Sequence, residues 1–149
     1  LHVWPTVGSQ MSLAWMPSNE LLYSGSENGD IQAWRISDQC CQETLKAHTD
    51  MVLSLLALNV TNNLVSASMD ANIGVWDTYT HQELFKLKGH RKGIFGLSYN
   101  PDFRLLVSCG FDHDAMVGVT VYFSIYYENN DSNYYTVIHI ILFYVATLI

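Results

Sequence analysis

The chain repeats itself at a constant spacing, and this period constrains its fold more than any other feature. Trp34 recurs as Trp76, and His48 recurs at the same offset as His90. The run SGSEN that begins at residue 24 returns as SASMD from residue 66 and as SCGFD from residue 108. A period in the forties with strand-like content is typical of β architectures that repeat one unit around an axis. We therefore predict an all-β fold.

The second unit, residues 47–89, shows how each copy is built. Residues 52–58 form an apolar run short enough for a buried strand, which we expect to be the innermost of four. Polar turns separate three further predicted strands, at residues 64–68, 73–76 and 82–87. Such a meander has two apolar faces, and stacking against neighbouring copies would bury both of them.

These residues carry a family resemblance. The pairs Gly89-His90 and Trp76-Asp77, with the SASMD run between His48 and Trp76, resemble the WD40 repeat of β-propellers. Several residue types fall at fixed offsets in three successive copies, so the match is far more specific than a lone Trp-Asp pair. The resemblance implies a partial propeller of two to three four-stranded antiparallel blades, followed by an atypical apolar C-terminal tail.

The resemblance covers about residues 10–117 and divides the chain into units. The predicted divisions are 1–9, the remnant of a preceding blade or an irregular N-terminus; 10–46, repeat 1; 47–89, repeat 2; 90–117, a truncated repeat 3; and 118–149, the apolar tail. Three units are too few to close a propeller ring. We therefore expect a fragment of a larger multi-blade protein, with the remaining blades supplied by a longer parent chain or by another subunit.

In this family a buried hydrogen-bonded chain links strand, turn and inter-blade loop, and the resemblance assigns its members. The matching residues are Trp34, His48, Ser66 (or its same-face neighbour Ser68), Asp70, Trp76, His90, Ser108 and Asp112. An indole donates, a hydroxyl donates and accepts, an imidazole joins two partners and a carboxylate accepts, so these groups satisfy one another when buried. Because the set recurs once per unit, we assign it to structure and not to a hydrolase triad.

The first and third units depart from this pattern. Asn28 stands where the turn aspartate is expected, and Thr6 occupies the position one period before His48. We therefore expect an incomplete network in the first unit. In the third unit the position one period after Trp76 is Gly118, which has no indole to donate.

The tail contains no Lys or Arg after Arg104, and its character leaves three alternatives open. Residues 119–127 have strong β character, and residues 134–149 form an almost unbroken apolar run, shorter than the roughly 20 residues that span a bilayer. The tail is an abnormal chain end, a strand pair that packs beside the propeller, or a tail anchor.

Composition excludes several function classes. The formal net charge of −7 argues against a nucleic-acid partner and against an anionic membrane surface. Three cysteines, two of them adjacent at Cys40 and Cys41, indicate a reducing compartment, and we expect the cytoplasm. No phosphate-binding loop, zinc-protease motif or nucleophile elbow occurs, so we predict no enzyme activity and no cofactor or metal. Residues 112–114 have side chains of the types that bind metals, but we interpret them as the polar residues of a turn.

A binding surface remains, at the rim where the inter-blade loops and the loops between second and third strands meet. Residues just before the turn aspartate occupy equivalent places there, and exposed aromatic and methionine side chains are favoured interface anchors. The candidate partner-binding rim consists of Glu27, Met51, Met69, Arg91, Lys92 and Phe111.

The predicted function is a non-catalytic scaffold that binds a protein or peptide partner. Two alternatives are a substrate-receptor subunit of a ubiquitin ligase and a tail-anchored, membrane-associated protein. The amino-acid sequences of residues 89–92 and 110–114 also resemble those of WD-repeat proteins of motile cilia. This resemblance implies an association with the cilium or the cytoskeleton.

Overall fold

The computed structural model describes residues 3–6 and 8–112 in full, and the backbone of residues 115–129 and 132–146. Within those residues the chain forms twelve β-strands and no helix. The strands make three antiparallel sheets of four strands each. The predicted all-β fold with four-stranded antiparallel units is confirmed.

Each sheet is a meander of consecutive strands. The first sheet contains β1 (Gln10–Met16), β2 (Leu21–Ser26), β3 (Asp30–Arg35) and β4 (Cys40–Lys46). The second sheet contains β5 (Val52–Leu58), β6 (Asn63–Ser68), β7 (Asn72–Asp77) and β8 (Glu83–Lys88). The third sheet contains β9 (Ile94–Asn100), β10 (Leu105–Gly110), β11 (Ala115–Asn129) and β12 (Ser132–Ala146).

The strand predicted at residues 52–58 coincides with β5, and the other three predicted strands of the second unit differ by one residue at their ends. Asn63 and Asp77 account for part of the difference because they pair across β6 and β7. The amide of Asn63 also donates to the carbonyl oxygen of Trp76 over 3.4 Å. Asn63 and Asp77 have the composition of turn residues, but they form the end pair of the ladder between β6 and β7.

The sheets stack through their first strands, since β5 contacts both β1 and β9. One buried cluster joins the first sheet to the second and includes Met16, Tyr23, Ile31, Leu55 and Leu64. Another joins the second sheet to the third and includes Leu58, Val65, Val75, Ile94 and Leu106. The second sheet is thus covered on both faces, as the repeat pattern predicts.

One face of the first sheet is exposed to solvent, whereas the equivalent face of the second sheet is buried. Leu13 is 64% exposed, whereas Leu55, which occupies the equivalent position in the next repeat, is 8% exposed because it packs in the first cluster. Trp15 lies on the same face of β1 as Leu13 and is also exposed. We call Leu13 and Trp15 the open face.

The third sheet continues into the segment that the sequence sets apart as a tail. Gly118 pairs with Leu106 inside the β10–β11 ladder, and β11 and β12 remain paired along their whole length. The divisions at residues 46, 89 and 117 stay predictions, as do the three alternatives for the tail.

Candidate functional site

A hydrogen-bonded chain of four side chains crosses the second sheet. The indole Nε1–H of Trp76 donates to Ser66 Oγ over 2.8 Å. Ser66 Oγ lies 2.8 Å from His48 Nε2, and His48 Nδ1 lies 2.9 Å from Asp70 Oδ2. The chain therefore joins β7 and β6 to the loop before β5 and to the β6–β7 turn.

The charge states of His48 and Asp70 determine the direction of each hydrogen bond in this series of side chains. Burial lowers the pKa of the His48 imidazole, and this outweighs the opposing attraction of the Asp70 carboxylate. Burial alone would raise the pKa of Asp70, but hydrogen bonds from the Asn72 backbone and from His48 hold it below its ordinary value. A neutral ring beside an ionised carboxylate donates from Nδ1, so its Nε2 accepts the Ser66 proton.

Ser68 lies on the same face of β6 as Ser66 but outside the chain. Its hydroxyl donates to the carbonyl oxygen of Asp50 over 2.9 Å and accepts the backbone N–H of Asp70 over 3.1 Å. The sequence does not distinguish which of the two serines bonds the histidine. In the structure Ser66 bonds His48, and Ser68 stabilises the β6–β7 turn.

The third sheet has a shorter hydrogen-bonded chain of side chains. His90 Nδ1 lies 2.9 Å from both carboxylate oxygens of Asp112, and His90 Nε2 lies 2.9 Å from Ser108 Oγ. Burial favours the neutral form of Asp112, but the backbone N–H of Arg91 and the His90 ring outweigh it and lower its pKa to about 2. In the described part of the chain, no indole donates to Ser108.

The first sheet retains only the indole and the serine. Trp34 Nε1–H donates to Ser24 Oγ over 2.8 Å, as Trp76 does to Ser66. The Thr6 hydroxyl, at the place of the histidine in the repeat, donates instead to the carbonyl oxygen of Gly8 over 3.4 Å. Trp4 stacks on Trp34 with ring centroids 5.6 Å apart.

Asn28, in place of the turn aspartate, stays within its own turn. Its Oδ1 accepts the backbone N–H of Asp30 over 3.1 Å, and its Nδ2 donates to Asp30 Oδ2 over 3.0 Å. The Lys46 ammonium lies 2.7 Å from the same carboxylate oxygen. The turn of the first sheet is therefore held by bonds within its own sheet, and among the described residues Asn28 makes no bond like those of Asp70 and Asp112 to a histidine.

The rim residues occupy structurally equivalent positions. In each sheet, the residue before the turn position donates its backbone N–H to the carbonyl oxygen of the loop that leads into the first strand. The donor and acceptor pairs are Glu27 and Ser9 (2.9 Å), Met69 and Met51 (2.9 Å), and Phe111 and Gly93 (2.8 Å). The repeat period is therefore preserved in the loops as well as in the strands.

Four large apolar side chains are exposed on this rim. Met51, Met69 and Phe111 are 39%, 36% and 49% exposed. Phe95, which is absent from the sequence-based set, is 48% exposed, and its ring lies 5.1 Å from that of Phe111. We call Met51, Met69, Phe95 and Phe111 the apolar rim. Glu27, Arg91 and Lys92 are also exposed.

Phe95 escapes sequence reasoning because it belongs to a strand and not to a loop. Its position reads as an ordinary member of the apolar run of β9. The sequence does contain a glycine at position 93. The structure shows why this residue has no side chain, since an added Cβ would lie 2.5 Å from Met69 Sδ. That close approach brings the start of β9 up to the β6–β7 turn.

The family comparison agrees with this geometry. The family model described as "WD domain, G-beta repeat" matches residues 5–35, 39–77 and 81–117, which together exceed half of the chain. The chain belongs to the WD40 repeat family. WD40 repeats generally mediate protein interactions, and WD40 proteins are typically non-catalytic scaffolds.

Curated WD40 relatives are much longer than this chain. It is 35% identical over 107 residues to cilia- and flagella-associated protein 337 B of Tetrahymena thermophila, covering 70% of this chain and 8% of that protein. It is 33% identical over 102 residues to human coronin-7, covering 60% of this chain and 11% of that protein.

Solved structures show the same WD40 fold. The chain superposes on a crystal structure of RRP9 WD40 repeats with a TM-score of 0.70 and 20% sequence identity. The match covers 76% of this chain and 36% of that one. A likeness at this level of identity shows the fold alone.

Metal-binding clusters and membrane-spanning helices are both absent from the described part of this WD40 chain. No group of metal-ligating side chains occurs among the residues described in full, and His113 and Asp114 of the 112–114 motif lie outside the described residues. In the described ranges, no helix is long and apolar enough to cross a membrane.

Proposed function

We propose that this chain is a non-catalytic WD40 scaffold and that its apolar rim binds a peptide segment of a partner protein. The observation that carries the proposal is the contact between the exposed rings of Phe95 and Phe111 beside the exposed Met69. None of these side chains belongs to either buried cluster. Aromatic and methionine side chains placed together at a surface are favoured anchors for a partner.

Charge at the rim supports a partner segment that combines apolar and acidic residues. Arg91 and Lys92 are exposed directly before Gly93, although the chain as a whole carries a net charge of −7. The Asp112 carboxylate accepts the Arg91 backbone N–H over 2.8 Å, which holds this loop while its basic side chains face solvent. Cations beside an apolar patch favour acidic partners and speed their association.

Peptide display against the immobilised chain, followed by calorimetry of the selected peptides, tests the proposal. We expect peptides that combine acidic and large apolar residues, and we expect Phe111→Ala and Met69→Ala to weaken their binding at least about tenfold. Phe103→Ala and Val60→Ala are matched controls, because these exposed residues lie in the turns at the opposite ends of β9 and β5. Equal binding by all four variants would place the site elsewhere.

The open face supports a second proposal about assembly. Leu55 is buried against the first sheet, whereas the equivalent Leu13 is exposed, so we propose that another four-stranded sheet covers the open face. A longer parent chain or another subunit supplies it. Light scattering tests this: the chain should self-associate, and Leu13→Gln with Trp15→Gln should reduce the association. A compact monomer that unfolds cooperatively would contradict it.

We also propose a cytoplasmic location with association to the cilium, supported by the relative in Tetrahymena thermophila. Expression of the tagged chain in ciliated cells tests the location, and a uniform distribution through the cell body would contradict ciliary association. The ubiquitin-ligase receptor and the tail anchor stay alternative predictions.

A further inference from the structure

A cavity of about 290 Å³ lies against the first sheet. Its lining includes the stacked indoles of Trp4 and Trp34, together with Thr6, Gln10 and Ser24. Its volume is close to the lower limit of ordinary small-molecule sites. The cavity therefore has room for a small ligand.

The repeat indicates which group this cavity lacks. Thr6 lies one period before His48, whose ring bonds Ser66 in the second sheet. The Thr6 side chain is shorter than an imidazole, and its hydroxyl is directed to the Gly8 carbonyl oxygen. No side chain of the described residues makes the corresponding bond to Ser24 in the first sheet. The space next to Ser24 corresponds to the space that an imidazole fills next to Ser66.

Two hydrogen-bonding groups at the cavity have unused capacity. Ser24 is 2% exposed, and its oxygen accepts from Trp34, but its own proton has no acceptor among the described residues. Gln10 Oε1 is buried and accepts no hydrogen bond in the described part of the chain, while Gln10 Nε2 donates to the Gly8 carbonyl oxygen over 3.2 Å. Ser24 therefore has a proton, and Gln10 Oε1 a lone pair, that no described residue uses.

We propose that this cavity binds a neutral imidazole ring. The ring nitrogen that carries the lone pair accepts the Ser24 proton, and the ring N–H donates to Gln10 Oε1. The bond to Ser24 is equivalent to the bond between Ser66 and His48 in the second sheet, whereas Gln10 takes over from another position the acceptor role that Asp70 has there. The indoles of Trp4 and Trp34 supply an aromatic wall for the flat ring.

Titration of the full chain with imidazole tests the proposal, followed by calorimetry and tryptophan fluorescence at about pH 8.5, where the ring is neutral. We expect saturable binding with a Kd on the order of 1 mM, because so small a ligand makes few contacts. 1-Methylimidazole lacks the N–H and should bind at least about tenfold more weakly. A parallel titration with N-acetylhistidine methylamide distinguishes a free small molecule from a histidine side chain as the source of the ring.

Four variants separate this site from non-specific binding. Thr6→His supplies the ring from the chain itself, so it should raise the melting temperature and abolish the imidazole response. Thr80→His, at an exposed turn, should do neither. Gln10→Val removes the acceptor and is expected to fold, because Val52 and Ile94 occupy the equivalent positions. Ser24→Ala removes the donor.

The expected result is loss of imidazole binding in Thr6→His and at least a tenfold weakening in Gln10→Val and Ser24→Ala. Absence of saturable binding to the parent chain would overturn the proposal. So would an unchanged Kd in folded Gln10→Val and Thr6→His.

Discussion

Leu64 and Val65 are neighbours on β6, yet their fully buried side chains lie in different apolar clusters. Successive residues of a strand point to opposite faces, so one strand contributes to the contact with the sheet before it and to the contact with the sheet after it. The second sheet therefore has no solvent face in its centre, and changes on β6 act on the stacking of all three sheets.

Leu64→Ala should lower the free energy of unfolding by about 2–5 kcal/mol, because it leaves a cavity between the first two sheets. Leu84→Ala is the matched control, since Leu84 lies on the outer strand β8 and is exposed. Its effect should stay within about 1 kcal/mol. Urea unfolding followed by circular dichroism measures both variants. Equal losses would contradict the placement of Leu64 between the sheets.

Trp76→Phe should cost about 1–3 kcal/mol beyond the lost apolar contact, because Ser66 Oγ loses its indole donor inside the protein. Trp15→Phe makes the same chemical change at an exposed side chain and should alter stability by less than about 0.5 kcal/mol. Denaturant titration of the two variants under one buffer condition gives the comparison. Similar unfolding midpoints would show that the buried hydrogen bond contributes little.

Gly29→Ala should destabilise the chain by about 2 kcal/mol or more, since Gly29 has a φ of 89° and an added Cβ would lie 2.3 Å from the His48 carbonyl oxygen. The equivalent residue of the second sheet is Ala71, with a φ of 66°. Ala71→Gly should change stability by less than about 1 kcal/mol, in the stabilising direction. Thermal unfolding of both variants checks the asymmetry, and a Gly29→Ala protein as stable as the parent would refute it.

Stability should fall as the pH falls, in two steps. Burial lowers the pKa of His48, so below about pH 6.5 the unfolded chain takes up a proton that the folded chain does not, and folding becomes less favourable. Hydrogen bonds that overcome burial lower the pKa of Asp112 from 3.8 to about 2, so its contribution is present above pH 3.8 and is lost as the pH falls through about 2.

Urea unfolding across this pH range, with His48→Gln and Asp112→Asn beside the parent, separates the two steps. His48→Gln should flatten the profile just below about pH 6.5, and Asp112→Asn should make it less steep between about pH 4 and 2, where Asp70, whose pKa is also lowered, still contributes. A parent profile that is level from neutral to acid pH would contradict both assignments.

Most of the architecture follows from the repeat period, because each strand pattern can be read three times. The innermost position of β5 followed from its continuous apolar run, and its contacts with β1 and β9 agree. The strand ends were less certain because Asn63 and Asp77 have the composition of turn residues but pair in the ladder. Only tertiary contacts decide such cases.

The contacts at the site depended on distances that no sequence pattern contains. Ser66 and Ser68 alternate on the same face, so the period alone could not distinguish the serine that meets His48 from the one that meets Asp50. The stacking of Trp4 on Trp34 was also unforeseen, because residues 3–6 form no strand and no ladder fixes their position. Loop geometry sets both arrangements.

The buried rings of His48 and His90 have a spectroscopic consequence. Their side chains are 0% and 1% exposed, and both nitrogens of each ring are held by hydrogen bonds. A ring proton in such a place exchanges with water only when the surrounding structure opens locally. Proton NMR should therefore follow the opening of the second and third sheets separately, through one unlabelled imidazole proton in each.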